Sequence, residues 1–380
     1  MDTSVLRISQ ILGYYPISLP NQPKSQKNQN NKPNLIQYIP ILLFSFITIV
    51  DVFMIFAYLF GYVQGKGDTN ITRKLISTTL YSTLVLKATA HTATSIFVRF
   101  RIFLGRKQLL QFHTDFTTLV EYFSIFSNPT GLESLKIKRN RYEFGLKVEV
   151  ILVGFICTLL ITDLWHGYLT DAGRGATSIY LTVIPATFGY IQAIFPYLLA
   201  YFLNWYLEML RRLEESHSTP VELRIELYSR LGRNVSAFVR FFGTSIVFDM
   251  AHSVMRIIFS SYFLASSVAL PYKTVRGISS DTLTVVGYLY LVFMLCKKGS
   301  QLGRLSGDFI KSCDEPGFLK GDKFFEHKRL FWVNSRNVKM KQIWIETDYF
   351  RVNLGLIAPI VGTVTTNLIV LMQFQNSDKT

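Results

Sequence analysis

Four residues in one apolar stretch have the types and spacing to do chemistry together. Asp249, His252, Ser253 and Arg256 stand at i, i+3, i+4 and i+7, which places them on one face of a helix. Two readings compete. A carboxylate, an imidazole, a hydroxyl and a guanidinium could hold a polar ligand or bias a gate. They could instead tie helices together, with Asp249 pairing with Arg256 or with Lys87. Charges at membrane depth are costly, so they mark candidate functional sites by default. Asp51, and Lys87 with His91, pose the same choice elsewhere.

A second group mixes aromatic and polar side chains: Tyr81, Ser82, Asp163, Trp165, Tyr180, Thr187, Tyr190, Gln192, Tyr262 and Tyr288. Aromatic residues near a membrane surface commonly serve as interfacial anchors. Combined with Gln, Thr and Asp, some of them could wall a small-molecule pocket between helices. Tyr81, Asp163, Trp165, Tyr190, Gln192, Tyr262 and Tyr288 are the pocket candidates. A third feature is the last apolar run, Val352 to Phe374, which carries Thr366, Asn367 and Gln373 near its end. Such groups are better buried against protein or water than against lipid.

None of this composes a catalytic site. The chain has no G-x-S-x-G, no H-E-x-x-H, no Walker loop and no carboxylate pair on one helix face, so no enzyme activity and no cofactor are expected. His113-Thr114-Asp115 reads as ordinary amphipathic helix. The last run has no lysine to carry a retinal Schiff base. Cys157, Cys296 and Cys313 match no metal or disulfide spacing. The net charge of +15 has no aromatic interleaving of the kind single-strand nucleic-acid binders use, so no nucleic-acid partner is expected.

The elements that must position these residues are membrane spans. Hydrophobic residues are 49% of the 380 and charged residues only 17%, against about 25% charged in soluble domains. Seven candidate spans follow: 36–62, 75–98, 148–168, 179–206, 246–270, 283–296 and 352–374. The second is weak and the sixth is short for roughly 30 Å of hydrocarbon. No signal peptide precedes them, and the polar stretch 21–34 reads as disordered. Thirty Lys and Arg residues fall in the N-terminal tail and in 99–141, 211–240 and 297–351, against seven on the other side. The positive-inside rule then puts the N-terminus in the cytoplasm and the C-terminus outside. The sequon Asn70-Ile71-Thr72 lies in the first outer loop, a candidate glycosylation site. Residues 206–242 and 323–350 mix apolar and basic residues, as helices on the inner leaflet or as spans that continue and bundle beneath it. Their recurrence favours bundling. The expected fold is all-α: a polytopic membrane protein of seven transmembrane helices with cytoplasmic helical extensions.

The run Thr366-Asn367-Leu368-Ile369-Val370-Leu371-Met372-Gln373-Phe374 resembles the signature of insect gustatory receptors: Thr-Tyr, five hydrophobic residues, Gln-Phe, near the end of the seventh span. Eight of nine positions match, with Asn367 replacing Tyr. Leu12-Gly13-Tyr14-Tyr15-Pro16 is similar to the family's leading Leu-Gly-aromatic-x-Pro, and the length and inverted topology agree. The resemblance implies a ligand-gated, non-selective cation channel in the plasma membrane of chemosensory neurons. It would be a homo- or heterotetramer with other such subunits, taking a small-molecule tastant and passing cations. It divides the chain into a tail (1–34), a ligand-binding six-helix bundle (35–298), a cytoplasmic anchor segment (299–351) and a pore-lining seventh helix with a short outer tail (352–380). Gln373 and Phe374 would form the outer constriction, with Ile369 and Met372 one turn around or below. Pro359 and Gly362 would let the helix bend. Asn367 in place of Tyr should change local packing or subunit contacts. Sugar-sensing members commonly carry Glu where Leu368 stands, which leans the ligand towards a bitter or other non-sugar compound; a sugar-sensing member is an alternative.

Two other classes compete. A G-protein-coupled chemoreceptor would place the 30 basic residues outside, and neither Asp-Arg-Tyr after the third span nor Asn-Pro-x-x-Tyr in the seventh is present. A transporter would need paired discontinuous helices, and no internal repeat is visible.

Overall fold

The structure is a computed structural model. It describes residues 78–126, 192, 194–216, 219–269, 275–314 and 341–377, with Leu6, Ser9, Tyr14, Tyr15 and Ile49. The described residues form six α-helices: α1 (Thr78–Leu104), α2 (Arg106–Phe126), α3 (Ile194–Glu215), α4 (Val221–Ala269), α5 (Val275–Asp314) and α6 (Ile357–Ser377). A single 3-10 turn, Leu354–Leu356, leads into α6. Among them there is no strand, only an isolated antiparallel bridge between Glu346 and Arg351. Three stretches, Leu223–Ser266, Asp281–Cys313 and Leu354–Ser377, are long and apolar enough to cross a membrane. The fold is therefore all-α and membrane-spanning. The third expected span lies outside the described residues, as do the first apart from Ile49 and the part of the fourth before Ile194 apart from Gln192.

The helices are longer than the spans read from hydropathy. The short sixth span sits inside the 40 residues of α5, and the fifth, up to Ala269, inside the 49 of α4. At about 1.5 Å per residue α4 is about 74 Å long, more than twice a hydrocarbon core. Charged residues hid this continuity, because Glu and Arg lower hydropathy without breaking a helix. α5 also runs through 298/299, where a boundary between bundle and anchor segment was expected.

The extensions bundle. Leu207, Met209, Leu210 and Leu213 of α3 and Leu227, Leu231 and Val235 of α4 are buried in one core. Between the two helices Thr219 N donates to the Ser216 carbonyl at 3.3 Å. Arg224, itself buried, donates from Nε to the Leu213 carbonyl at 2.9 Å. That satisfies one of the carbonyls a helix end leaves free. The centre is aromatic. α2, α3 and α4 each present a ring pair at i, i+4: Phe112/Phe116, Phe202/Tyr206 and Phe238/Phe242. The spacing stacks both rings of a pair on one helical face. Centroids lie 5.3 Å apart for Phe112–Phe202, 5.1 Å for Phe116–Phe202 and 5.8 Å for Phe202–Phe238, within the range of favourable aromatic contacts.

The mix of apolar and basic residues in 323–350 suggests amphipathic helix, and of that stretch residues 341–350 are described. They form an extended strap along α5 instead. Its polar groups are met one by one: Gln342 Nε2 donates to the Gly303 carbonyl at 2.6 Å, Ile343 N to Ser306 Oγ at 2.7 Å, and Tyr228 Oη to the Lys341 carbonyl at 3.0 Å. The strap fits because α5 carries Gly299, Gly303 and Gly307 at i, i+4, i+8. A Cβ on Gly303 would collide with the Trp344 ring, and one on Gly299 with the Val352 carbonyl oxygen. On its other side Trp344 carries the Arg351 guanidinium, 4.7 Å from the ring centroid. Gly362 has open space where a Cβ would go.

Gly303→Ala and Gly299→Ala should each lower the thermal midpoint of the detergent-purified chain by an overpacking cost of ~1–3 kcal/mol. Gly299→Ala should be the worse of the two, because backbone cannot swing aside. Gly362→Ala should leave the midpoint unchanged or raise it, since Ala is about 1 kcal/mol better than Gly inside a helix. A ranking with Gly362 most sensitive would contradict this packing.

Candidate pore helix and buried polar relay

α6 begins from a fixed point. Val352 N donates to the Ile345 carbonyl at 2.8 Å, and Asn353 Oδ1 accepts from Gly355 N at 2.9 Å, capping the 3-10 turn. Pro359 stands in the first turn, where its missing N–H costs no helical hydrogen bond.

One face of α6 rests on its own chain. Ile357, Ile360 and Val364 pack on the main core. Val364, Leu368, Leu371 and Met372 pack on a second cluster formed by Ile258, Phe259, Tyr262 and Phe263 of α4. Near the end of the face Gln375 is the one buried residue of α6, and its Oε1 accepts from Ser266 Oγ at 2.9 Å. The rest of the helix is uncovered. Ile369 is 53% exposed and Phe374 59%, and Gln373, Thr366 and Asn367 are exposed with them. Of the four residues expected to line the pore and its gate, Ile369, Gln373 and Phe374 share this open face, whereas Met372 turns towards α4. Asn367 uses its amide locally, donating from Nδ2 to the Thr363 carbonyl at 2.8 Å. Thr363 and Thr365 do likewise, to the Pro359 and Val361 carbonyls at 2.9 Å each.

Deeper in the bundle the Asp249 face is engaged differently from either pairing expected of it. Asp249 Oδ1 accepts from Gln192 Nε2 at 3.3 Å. The Gln192 Oε1 accepts from the Tyr14 hydroxyl, which in turn accepts from Arg99 at 3.3 Å. Arg256 lies over the Tyr288 ring at 5.5 Å, and His252 meets that ring edge-on at 5.7 Å. Lys87 pairs with Asp281 at 3.7 Å and sits 4.9 Å from the Phe263 centroid. Neither Arg256 nor Lys87 is the partner of Asp249.

The pocket candidates therefore separate. Gln192 belongs to the Asp249 relay, Tyr288 to His252 and Arg256, and Tyr262 to the cluster under α6. Thirteen residues divide Asp249 from Tyr262, about 20 Å along α4. The Tyr81 side chain, Asp163, Trp165, Tyr190 and the sequon at Asn70 lie outside the described residues, as do Asp51 and the side chain of His91. Sequence reading missed Tyr14 and Arg99 as relay members, Asp281 as the partner of Lys87, and the Ser266–Gln375 bond. Gln375 was legible in principle: it completes the series i, i+4, i+7, i+11 begun by Val364, Leu368 and Leu371.

The helices and their uncovered last member define an all-α protein of the membrane-spanning kind. The insect olfactory receptor OR5 from Machilis hrabei has the same fold: its structure matches at a TM-score of 0.68 with 13% identity, over 97% of each chain. The structure of that receptor in complex with eugenol matches at a TM-score of 0.59 with 14% identity, again over 97% of each. No protein-family model matches the sequence, and no curated protein does.

The Lys87 and Asp281 side chains are 16% and 14% exposed, so breaking the pair removes a nearby opposite charge from a largely buried group. Lys87→Met should lower the thermal midpoint by the equivalent of about 2 kcal/mol, with Lys87→Met/Asp281→Asn recovering most of it. A double variant no better than the single one would show that the pair is not coupled. Ser266→Ala should strip Gln375 of its donor, costing on the order of 1 kcal/mol in the same assay.

Proposed function

We propose that the chain is a subunit of a ligand-gated, non-selective cation channel of the insect gustatory receptor kind, with α6 lining the pore. The observation that carries this reading is the packing of α6. A 24-residue apolar stretch has none of its most hydrophobic part buried in its own chain, yet its open face bears Thr366 and Gln373, whose polar groups are not returned to the helix. A lipid-facing helix has no use for such groups. A helix that faces a water-filled axis among several copies does. The fold likeness to an insect olfactory receptor supports the same reading, as does the Thr366-to-Phe374 signature.

In this reading the assembly is a tetramer, homomeric or mixed, in the plasma membrane of chemosensory neurons. The N-terminus and the long ends of α3, α4 and α5 are cytoplasmic, and the C-terminus is outside. Residues 1–34 form a tail, 35–298 the ligand-binding bundle, 299–351 an anchor and 352–380 the pore segment. Phe374 forms a hydrophobic ring that closes the axis by dewetting, and the neighbouring Gln373 amide hydrates or coordinates passing cations. Ile369 lines the axis below them. A small, non-sugar tastant binds among the outer halves of the helices, where Tyr81, Asp163, Trp165, Tyr190 and Tyr288 are the candidate contacts. Its effect reaches α6 through α4.

Whole-cell recording from cells expressing the chain tests the gate. Phe374→Ala should raise resting cation current severalfold, and Gln373→Ala should change relative permeability or conductance. Equal currents from both variants and the parent, in a conducting assembly, would remove this end of α6 from the gate. Enzymatic removal of a glycan from Asn70 should shift the chain's mobility on a gel. An unmodified Asn70 together with an N-terminal tag reached from outside intact cells would invert the topology and favour a G-protein-coupled receptor.

A further inference from the structure

We propose that the N-terminal segment around Tyr14 and Tyr15 is an intrachain ligand docked among α1, α2, α3 and α4, and that Tyr14 is the positioning residue that sets the Gln192 amide against Asp249. The segment is seated as deeply as the core. Leu6, Ser9, Tyr14 and Tyr15 are each 0% exposed. The amides of Tyr14 and Tyr15 both donate to the Ser9 carbonyl, at 2.9 and 3.1 Å. These two bonds anchor two consecutive tyrosines in the bundle.

Each ring has its own seat. Tyr14 lies against Phe195 of α3, centroids 5.8 Å apart, with the Arg99 guanidinium of α1 at 5.1 Å from its centroid. Tyr15 packs on Phe202 of α3 at 6.1 Å and edge-on to His113 of α2 at 5.7 Å, its hydroxyl 2.6 Å from Nδ1. Burial holds the Tyr15 hydroxyl well above and the His113 imidazole below their ordinary values, so this contact joins two neutral groups at pH 7.

The hydroxyl of Tyr14 gives the docking a direction. Arg99 donates to it, it donates to Gln192 Oε1, and Gln192 Nε2 donates to Asp249 Oδ1. An amide has one accepting end and one donating end. With the hydroxyl holding the oxygen, the NH2 must point at the carboxylate. Without it the amide is free to turn, and its oxygen would then oppose Asp249. A cation on α1 and a carboxylate on α4 are thus joined through a hydroxyl from the tail and an amide next to α3. Asp249 is nine residues, about 14 Å, from Ile258, where α4 begins to support α6.

The test uses the full-length chain purified in detergent with Ser9→Cys as a reporter, the parent chain giving the background from its three native cysteines. Docked, the introduced thiol should react with a maleimide at least about tenfold more slowly than in the denatured chain. Equal rates would overturn the docking without recourse to any other variant. Adding Tyr14→Phe removes two buried hydrogen bonds, the one donated to Gln192 and the one accepted from Arg99, and should accelerate labelling about tenfold. Labelling within twofold of the docked rate would overturn the role of the hydroxyl. A consequence for the gate rests on the channel reading above: at equal surface density, Tyr14→Phe should change resting cation current by threefold or more. Faster labelling with unchanged current would overturn that link. A parent chain that carries no current would count against the channel reading, while the labelling result would still decide the docking.

Discussion

The structure depends on the continuity of α4. This helix packs against each of the other five, and it does so at three levels with three kinds of chemistry. Its first half joins the aromatic core through Phe238 and Phe242. Its middle carries Asp249, His252 and Arg256 into polar contacts with Gln192 and Tyr288. Its last turns, Ile258 to Ser266, hold α6. A helix resists bending over its length because each residue is tied to the fourth before it. A shift imposed at one level is therefore carried to the others.

That arrangement explains why polar residues are tolerated at the middle level. Asp249 is 2% exposed and Arg256 6%, burial that would be prohibitive for isolated charges. Gln192 meets one oxygen of the carboxylate, while the guanidinium rests on the face of Tyr288, the geometry in which an aromatic ring attracts a cation. Separating the charges between two partners, rather than pairing them directly, ties α4 to two different neighbours. A direct Asp249–Arg256 pair within one helix would have satisfied both groups and joined nothing.

Much of this was legible in the sequence, and the gaps have definite causes. The all-α, membrane-spanning class followed from composition, and the shared face of Asp249, His252 and Arg256 from spacing alone. Partners were not readable, because they come from segments far apart in the chain: 178 residues separate Tyr14 from Gln192, and nearly 200 separate Lys87 from Asp281. Helix ends were misjudged wherever hydropathy stood in for helix formation, as in α5. Residues 341–350 of the strap suggest helix from sequence because their apolar and basic residues suit either shape. The decisive signal lay in α5, where three glycines one turn apart leave a groove for another backbone.

The open face of α6 shows what remains after local demands are met. Thr363, Thr365 and Asn367 all return their polar groups to carbonyls four residues back, bonds that a helix tolerates at small cost. What they present outward is largely methyl and methylene surface. Asn367 fits this pattern: a short side chain folded onto its own helix leaves the face slim where the resembled signature has a tyrosine. Thr366 and Gln373 make no such return bond. With Thr366, the Gln373 amide has hydrogen bonds still to give, and it stands beside an exposed large ring, Phe374. Polar capacity and hydrophobic bulk are thus concentrated at one end of α6, within the turn that Ser266 and Gln375 secure to α4.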